Sequence, residues 1–365
     1  TSKISYGDLS KDTELNQFLE VYASIISEYY EDVNKKELLE KAIAAMLNYL
    51  GDDYTTYLDE DDTKELATKL AGEYNGVGIA VKSDDTNIKE ITEVYDDTPA
   101  SRAGLLPGDI IVGYNNEDVS TKSSSEVINL IKANTQTFTL KLKRGEEFLT
   151  VNLKNETIIF PSINYNIIEN TTTGYIQISA FSKTLDTQIK NALNKLENAG
   201  ITSLIIDLRD NTGGYLDAAN SVASKFLEEG KRIYSLNYKD EITHYNDKTK
   251  EHREYPIVVI VNEHTASASE ILAAALKDSY GATLVGNTTY GKGKVQQTKD
   301  LNTGTMIKYT SALWLVPSGG CIDKVGIKPD YMVTNEYIED EEGHLILKSD
   351  AQLEKAISLL NNSVQ

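Results

Sequence analysis

Three short segments carry residue types whose spacing could do chemistry. The first is Thr265-Ala266-Ser267-Ala268-Ser269-Glu270, between the apolar run 256–261 and a helical pattern beginning near Ser267. Small residues let the chain turn tightly. A serine in the first turn of a helix presents its hydroxyl among unpaired N–H groups that carry positive potential, where a tetrahedral oxyanion would be stabilised. A plain helix cap by Thr265 or Ser267 accounts for one hydroxyl but not for a run of alternating small residues. The second segment is Tyr290-Gly291-Lys292-Gly293-Lys294-Val295-Gln296-Gln297. It lacks the spacing and trailing Ser/Thr of a Walker A loop. It reads either as a solvated turn or as a lysine threaded closely against another element, with its amine in a pocket. Burial disfavours the ammonium and can lower a lysine pKa from ~10.4 by several units, which makes a general base. Ser–Lys pairs are a known form of the activated serine. The third is Asp207-Leu208-Arg209-Asp210-Asn211-Thr212-Gly213-Gly214, at the carboxyl end of the apolar strand 201–208. That is where α/β sheets place ligands, and paired glycines expose N–H groups to an anion. The bland alternative is an ordinary strand-to-helix turn.

These segments must be held by elements that the pattern also predicts. Residues 11–70 read as helix: Leu15, Phe18, Leu19, Tyr22, Ile25 and Ile26 recur at helical spacing, Asn34 can cap a second helix and Gly51 stops it. The acidic run 59–62 lacks the ligand spacing and Gly of a calcium loop and reads as a solvated, helix-capping face. From Gly72 the texture turns to short strands (77–81, 88–94, 110–114), a short helix at 125–132, and a hairpin (137–143 with 148–153) closing at Arg144-Gly145-Glu146. From about Phe160 strands at 174–178, 201–208, 256–261 and 282–285 alternate with helices at 184–199, 216–228 and 267–277, the signature of a layered α/β domain with a mainly parallel sheet. Residues 231–253 read as a peripheral hairpin or flap, 335–343 as an acidic linker, and 350–360 as a final helix. The three candidate segments lie in connections of one domain, so they can converge.

Composition narrows the options. The 365 residues carry 56 acidic against 36 basic side chains, a formal charge of −20. Nucleic-acid phosphates need neutralising Lys and Arg, so nucleic acid is not the partner. A single Cys321 allows no internal disulfide and no CxxC site, and four scattered histidines give no HExxH pair. No metal and no organic cofactor is expected. No apolar run approaches the ~20 residues that span a bilayer. The chain starts at Thr1 rather than Met, so any signal or membrane anchor is expected upstream; one cysteine fits either the cytosol or an oxidising compartment, and the location expected is extracytoplasmic (periplasmic, cell-surface or secreted).

With these residues in view, the sequence resembles the carboxyl-terminal processing proteases, Ser–Lys peptidases of the S41 type that carry a PDZ domain. Thr265–Glu270 with Ile271 resembles the family's Ser-Ala-Ser-Ala-Ser-Glu-Ile, with the nucleophile on Ser267. Gly291-Lys292-Gly293 with Val295-Gln296 resembles Phe-Gly-Lys-Gly-x-Val-Gln, which implies Lys292 as base and Gln296 as its orienting partner. Asp207–Gly214 resembles Asp-Leu-Arg-x-Asn-Pro-Gly-Gly and implies an oxyanion hole from the Gly213 N–H, with Gly214 a close alternative, joined by Ala268. Asn75-Gly76-Val77-Gly78-Ile79 resembles a PDZ carboxylate-binding loop, so Gly76, Val77, Gly78 and Ile79 are the expected receptors of a substrate C-terminus. Thr98-Pro99-Ala100, 104–111, 311–314 and 326–330 also look familial. The sequence departs from the pattern at Thr212, where Pro is usual, and at Tyr290 and Thr265.

The resemblance implies a multidomain α/β and α+β chain: a helical N-terminal region (1–70), an inserted PDZ domain (71–158), a crotonase/ClpP-like protease core (159–335), and a C-terminal tail and helix (336–365). It implies a serine endopeptidase acting near the C-terminus of a protein or peptide with an exposed tail, bound as an added strand. The N-terminal helices and the C-terminal tail can mediate a homodimer, and movement of the PDZ domain can gate activity. A catalytically idle PDZ adaptor on a protease-like fold is the rival from another class. A crotonase-like acyl-CoA enzyme would need basic residues that this chain shows poorly. A Ser-His-Asp site would have to use His264, badly placed three residues from Ser267.

Overall fold

A computed structural model describes residues 9–82, 88–239, 241–301, 303–339 and 345–362. The chain divides into two units: residues 1–63 with 296–311, and residues 64–295 with 312–365.

In the first unit, two helices follow from their caps. The Asp12 side chain accepts the Leu15 N–H at 2.9 Å and starts Thr13–Glu28. Asn34 accepts from Lys36 and Glu37 and starts Lys35–Tyr49, and Gly51 leaves it at φ +60°. The acidic run is a cap rather than a cation site: Asp59 accepts the N–H groups of Asp61 and Asp62, both at 2.9 Å, at the start of Glu60–Ala71. The strand Thr56–Leu58 pairs antiparallel with residues 306–308.

The second unit holds two cores. The smaller one closes around Val77, Ile91, Leu105, Ile111, Phe138, Leu140 and Leu142. Its four-stranded sheet runs in the order Glu117–Asp118, Ile110–Tyr114, Phe138–Arg144, Glu147–Leu153, and the last two strands form the expected hairpin. A bidentate pair locks it: Arg144 donates to both oxygens of Asp109 at 2.7 and 2.8 Å, and Asp109 also accepts the Leu106 N–H. The strand expected over 77–81 begins only at Ile79, because Val77 and Gly78 form a loop, and a strand at Glu73–Gly76 pairs with Glu156–Ile159.

The larger core is a six-stranded sheet in the order Ile163–Ile167, Thr173–Ile178, Ser203–Asp207, Ile257–Val261, Thr283–Gly286, Tyr331–Met332. All neighbours are parallel except the first pair. Strands buried on both faces explain the uninterrupted apolar runs. Leu204, Ile206, Val259, Val261 and Leu284 face the helices Leu185–Asn198, Leu216–Ala223 and Ala268–Ala275. Ile205, Val258, Ile260 and Val285 face the final helix Ala351–Asn362. Two helices are shorter than the pattern suggested: 216–228 ends at Ala223, and 267–277 gives way to a π-turn at Leu276–Tyr280. The linker expected at 335–343 is corrected at its start, where Glu336–Glu339 is a strand paired with Leu345–Ser349; residues 340–344 lie outside the described residues.

The final helix is tied to the sheet by charge. Arg209 donates to buried Asp207 and to both oxygens of Asp350 (2.7 and 2.8 Å), and Asp350 caps the helix through the Leu353 N–H. Burial pushes the Asp350 carboxyl up, but the guanidinium and that N–H outweigh it and hold the group below the ordinary range. Asp109 is held low chiefly by its bonds from Arg144. Depressed carboxyl pKa values stabilise the fold above the unfolded value of ~3.9, and that contribution disappears as pH falls through the lower folded values. Acid unfolding of the wild type should therefore set in below pH ~4, and Asp350→Asn should flatten its pH dependence in a urea-midpoint series. Arg209→Met leaves Asp207 buried without its cation and should lower the unfolding free energy by about 3 kcal/mol.

Candidate active site

The three connections that sequence singled out follow neighbouring strands, all at the carboxyl edge of the sheet. Residues 208–214 follow Ser203–Asp207, residues 262–267 follow Ile257–Val261, and residues 287–293 follow Thr283–Gly286.

Hydrogen bonds fix the first turn to the second. Thr265 Oγ1 donates to the Leu208 carbonyl, the Ala266 N–H donates to the Asn211 carbonyl (3.0 Å), and Ser269 Oγ donates to the same carbonyl (2.9 Å). Thr265 and Ser269 are fully buried, and Ser267 between them is half-buried. The alternation read from sequence thus separates two structural hydroxyls from one accessible one. Ser267 sits at φ +58°, ψ −118°, a conformation that L side chains rarely adopt. Such strain costs about 1–3 kcal/mol and persists where surrounding bonds over-determine it. Here the Ser267 N–H donates to Glu270 and its carbonyl accepts the Ile271 N–H. The strained turn sets Ser267 at the N-cap of the helix Ala268–Ala275. Ala268, at the first helical position, has a backbone N–H with no hydrogen bond among the described residues.

Gly213 lies directly against this turn. A Cβ built there would stand 2.9 Å from the Ala266 carbonyl oxygen, 2.9 Å from Ser267 Cβ and 3.0 Å from the Ala268 nitrogen, at φ +101°. Only glycine fits. Its N–H donates to Asn211 Oδ1 at 2.9 Å, and the buried Asn211 amide in turn donates to the Ile178 carbonyl at 2.7 Å. The Gly214 N–H makes no hydrogen bond among the described residues, and the Gly214 Cα is pressed on the Phe181 carbonyl.

The third connection threads Lys292 between two close approaches. A Cβ on Gly291 would meet the Gly326 nitrogen at 2.7 Å, and one on Gly293 would meet the Asp323 nitrogen at 2.6 Å. The Lys292 carbonyl accepts the Trp314 indole N–H at 2.8 Å, and its N–H donates to Glu270. Lys292 is half-buried.

Glu270 is the residue that sequence reasoning read only as part of a motif. It is fully buried. Oε1 accepts from Thr289 Oγ1 (2.6 Å) and the Gly291 N–H (2.8 Å); Oε2 accepts the N–H groups of Ser267 (2.8 Å) and Lys292 (2.9 Å). The Thr289 hydroxyl accepts from the Ile327 N–H, which fixes it as a donor to Glu270. Burial raises the carboxyl above its ordinary value, and these four donors pull it back only in part. All four partners donate, so the ionised form satisfies the arrangement and a proton would displace one of them. A buried carboxyl three residues into a helix, facing a second glycine-flanked loop, was the signal available for this role.

The remaining predicted residues fall elsewhere. Gln296 belongs to the first unit of the chain, and Ser267 and Lys292 to the second. His264 is exposed, its N–H on Asn262 Oδ1. Gly76, Val77 and Gly78 are buried in the smaller core's loop: the Val77 carbonyl accepts the Ala100 N–H, and Gly78, at φ +85°, lies so near Thr98 that a Cβ would be 2.3 Å from it. Ile79 begins the strand that pairs with Val94.

The serine on its strained turn, the helix-start N–H of Ala268 and the threaded lysine thus all lie in connections at one edge of the sheet. Comparison with known proteins gives the family. Residues 172–333 match the peptidase family S41, residues 90–144 a PDZ domain, and residues 2–62 the N-terminal domain of the activating protease CtpB. The chain is 34% identical over 335 residues to the "Probable CtpA-like serine protease" of Staphylococcus aureus (strain MRSA252), covering 91% of this chain and 67% of that protein. It is 32% identical over 318 residues to the counterpart in Staphylococcus epidermidis (strain ATCC 12228), covering 86% and 64%. Among solved structures, a photosystem II D1 C-terminal processing protease matches with TM-score 0.53 and 26% identity over 92% of this chain and 90% of that one. A lipoprotein from Streptococcus agalactiae shares the fold at TM-score 0.52 and 13% identity, over 97% and 90%. The chain belongs to peptidase family S41 and is a serine-type peptidase with a PDZ domain.

Glu270→Gln keeps size and shape but turns an amide N–H₂ toward donors. The variant should stay folded, with kcat lower by about 10²-fold and KM changed far less, since misplacing a catalytic group by an ångström costs that much. Steady-state kinetics alongside a thermal melt checks it.

Proposed function

We propose that this peptidase cleaves proteins near their C-terminus through a Ser–Lys site, with the PDZ module receiving the free carboxyl tail. The observation that carries the reading is the convergence of the Ser267 and Lys292 N–H groups on one carboxylate oxygen of Glu270, with Gly213 packed on Ser267. In this mechanism Lys292, neutral in the working site, takes the proton from Ser267 Oγ as it attacks the peptide carbonyl. The tetrahedral oxyanion is held by the Ala268 N–H and one N–H of the paired glycines. Lys292 then protonates the leaving amine, and water hydrolyses the acyl-enzyme by the reverse proton path. Gln296 orients the lysine amine. Gly213 serves as donor only after its N–H leaves Asn211 Oδ1, whereas the Gly214 N–H is uncommitted among the described residues; movement of the PDZ domain, biased by substrate, gates the site.

The Val77, Gly78 and Ile79 N–H groups receive the tail carboxylate while the tail adds as a strand. We assign the core to the crotonase/ClpP-like architecture on its parallel sheet and carboxyl-edge site. A homodimer through the N-terminal helices fits their apolar residues Phe18, Leu19, Leu39 and Met46, all at least 40% exposed. An extracytoplasmic location fits the CtpA-like relatives; among the described residues no helix is long and apolar enough to cross a membrane.

Peptide cleavage should fall by about 10⁴-fold or more in both Ser267→Ala and Lys292→Ala; near wild-type turnover in either would refute the Ser–Lys assignment. Gly213→Ala, which intrudes on the Ser267 turn and the Ala268 N–H, should cut kcat by about 10²-fold or more. Amidating the substrate C-terminus should raise KM about tenfold or more through loss of charge-assisted hydrogen bonds.

A further inference from the structure

The carboxylate loop of the PDZ module has a neighbour that the tail-binding reading does not use. Tyr74 lies on the strand Glu73–Gly76, two residues before the loop. Its ring is folded back over Gly76: a Cβ built on that glycine would stand 2.4 Å from Tyr74 Cε2 and 3.5 Å from Cζ. The far side of the ring stacks on Phe160, with centroids 4.7 Å apart and planes 27° from parallel. Lys132 Nζ also lies over the ring, 6.0 Å from its centroid, and the backbone N–H groups of Gly78 and Ile79 bear on the phenol as donors. Those are two of the three N–H groups assigned above to a substrate carboxylate.

We propose that the Tyr74 hydroxyl is a built-in stand-in for the C-terminal carboxylate, so that a substrate tail must displace Tyr74 to enter the PDZ loop. The inference rests on the tail-binding reading and adds a residue that sets its affinity. A neutral phenol is a weaker acceptor for N–H donors than a carboxylate, so exchange favours the tail while an uncharged chain end gains little. Burial, with the Tyr95 phenol adding to it, pushes the Tyr74 phenol up to about 12, and the two N–H groups pull it back. It therefore remains a neutral hydroxyl at working pH. The position carries a second consequence. Tyr74 and Phe160 stand where the chain enters and leaves the PDZ module, beside the Phe160 N–H to Gly72 carbonyl bond (2.9 Å) and the pairing of Glu73–Gly76 with Glu156–Ile159. Displacing the ring removes a stack at that junction.

The test uses the whole chain with Ser267→Ala, so that peptide is bound and not cut. Its probes are an unstructured decapeptide ending in Ala-Ala with a free carboxylate and the same peptide amidated. Tyr74→Phe keeps the ring, its fit over Gly76 and the Phe160 stack, and removes only the hydroxyl. Titration calorimetry should show Tyr74→Phe binding the free-acid peptide about fivefold tighter, with a smaller change for the amide, so that the acid-to-amide preference widens. An unchanged or weaker free-acid affinity in Tyr74→Phe, with the wild-type preference for the acid retained, overturns the inference and leaves the tail-binding reading standing. No acid-to-amide preference in either protein overturns both.

Discussion

One buried carboxylate holds this site together. Glu270 accepts four hydrogen bonds from two connections of the chain, and one of its oxygens receives the N–H groups of both Ser267 and Lys292. An ionised group at zero exposure is expensive to bury unless every lone pair is met. Here each is met by a donor whose position is itself fixed: Thr289 by Ile327, Gly291 and Lys292 by a loop that admits no Cβ on either side of the lysine, Ser267 by a strained turn. The carboxylate therefore sets the register between the Ser267 and Lys292 segments, which lie 25 residues apart in the numbering (267 to 292).

The rest of the second unit supplies the platform. Parallel pairing brings three consecutive connections to one edge of the sheet, and the helix Ala268–Ala275 adds unpaired N–H groups at its start. Asn211 links the other two turns, its carbonyl holding Ala266 and Ser269 and its side chain holding Gly213. The Asp207-Leu208-Arg209 stretch serves the opposite direction. Its charges run to Asp350 and fasten the helix that covers the second face of the sheet. One eight-residue motif thus joins the glycine turn beside Ser267 to the helix anchor.

Much of this was legible in sequence, for identifiable reasons. Apolar runs at 203–207 and 257–261 announce strands buried on both faces, and Asn34 with Gly51 brackets a helix through local capping chemistry that needs no tertiary knowledge. The serine, lysine and glycine segments were visible because their residue types are unusual in those places. What stayed hidden depends on partners distant in sequence. The register of 77–81 shifted because Gly78 packs on Thr98. The strand at Glu336–Glu339 exists through pairing with 345–349, which an acidic composition conceals. Glu270 looked like one more helical acid until the Lys292 loop was placed over it, and the commitment of the Gly213 N–H to Asn211 follows from a side-chain rotamer that sequence does not encode locally.

The central claim is that Ser267 is the nucleophile and that its reactivity depends on Lys292. The most direct measurement is adduct mapping: the full chain is treated with a fluorophosphonate, digested and sequenced by mass spectrometry, with the labelling rate followed in parallel for Lys292→Ala. The account predicts a single adduct on Ser267 that forms at least a hundredfold more slowly when Lys292 is removed (about 10²-fold or more for loss of a general base). An adduct on another residue, or labelling of Ser267 at an undiminished rate without Lys292, would contradict it.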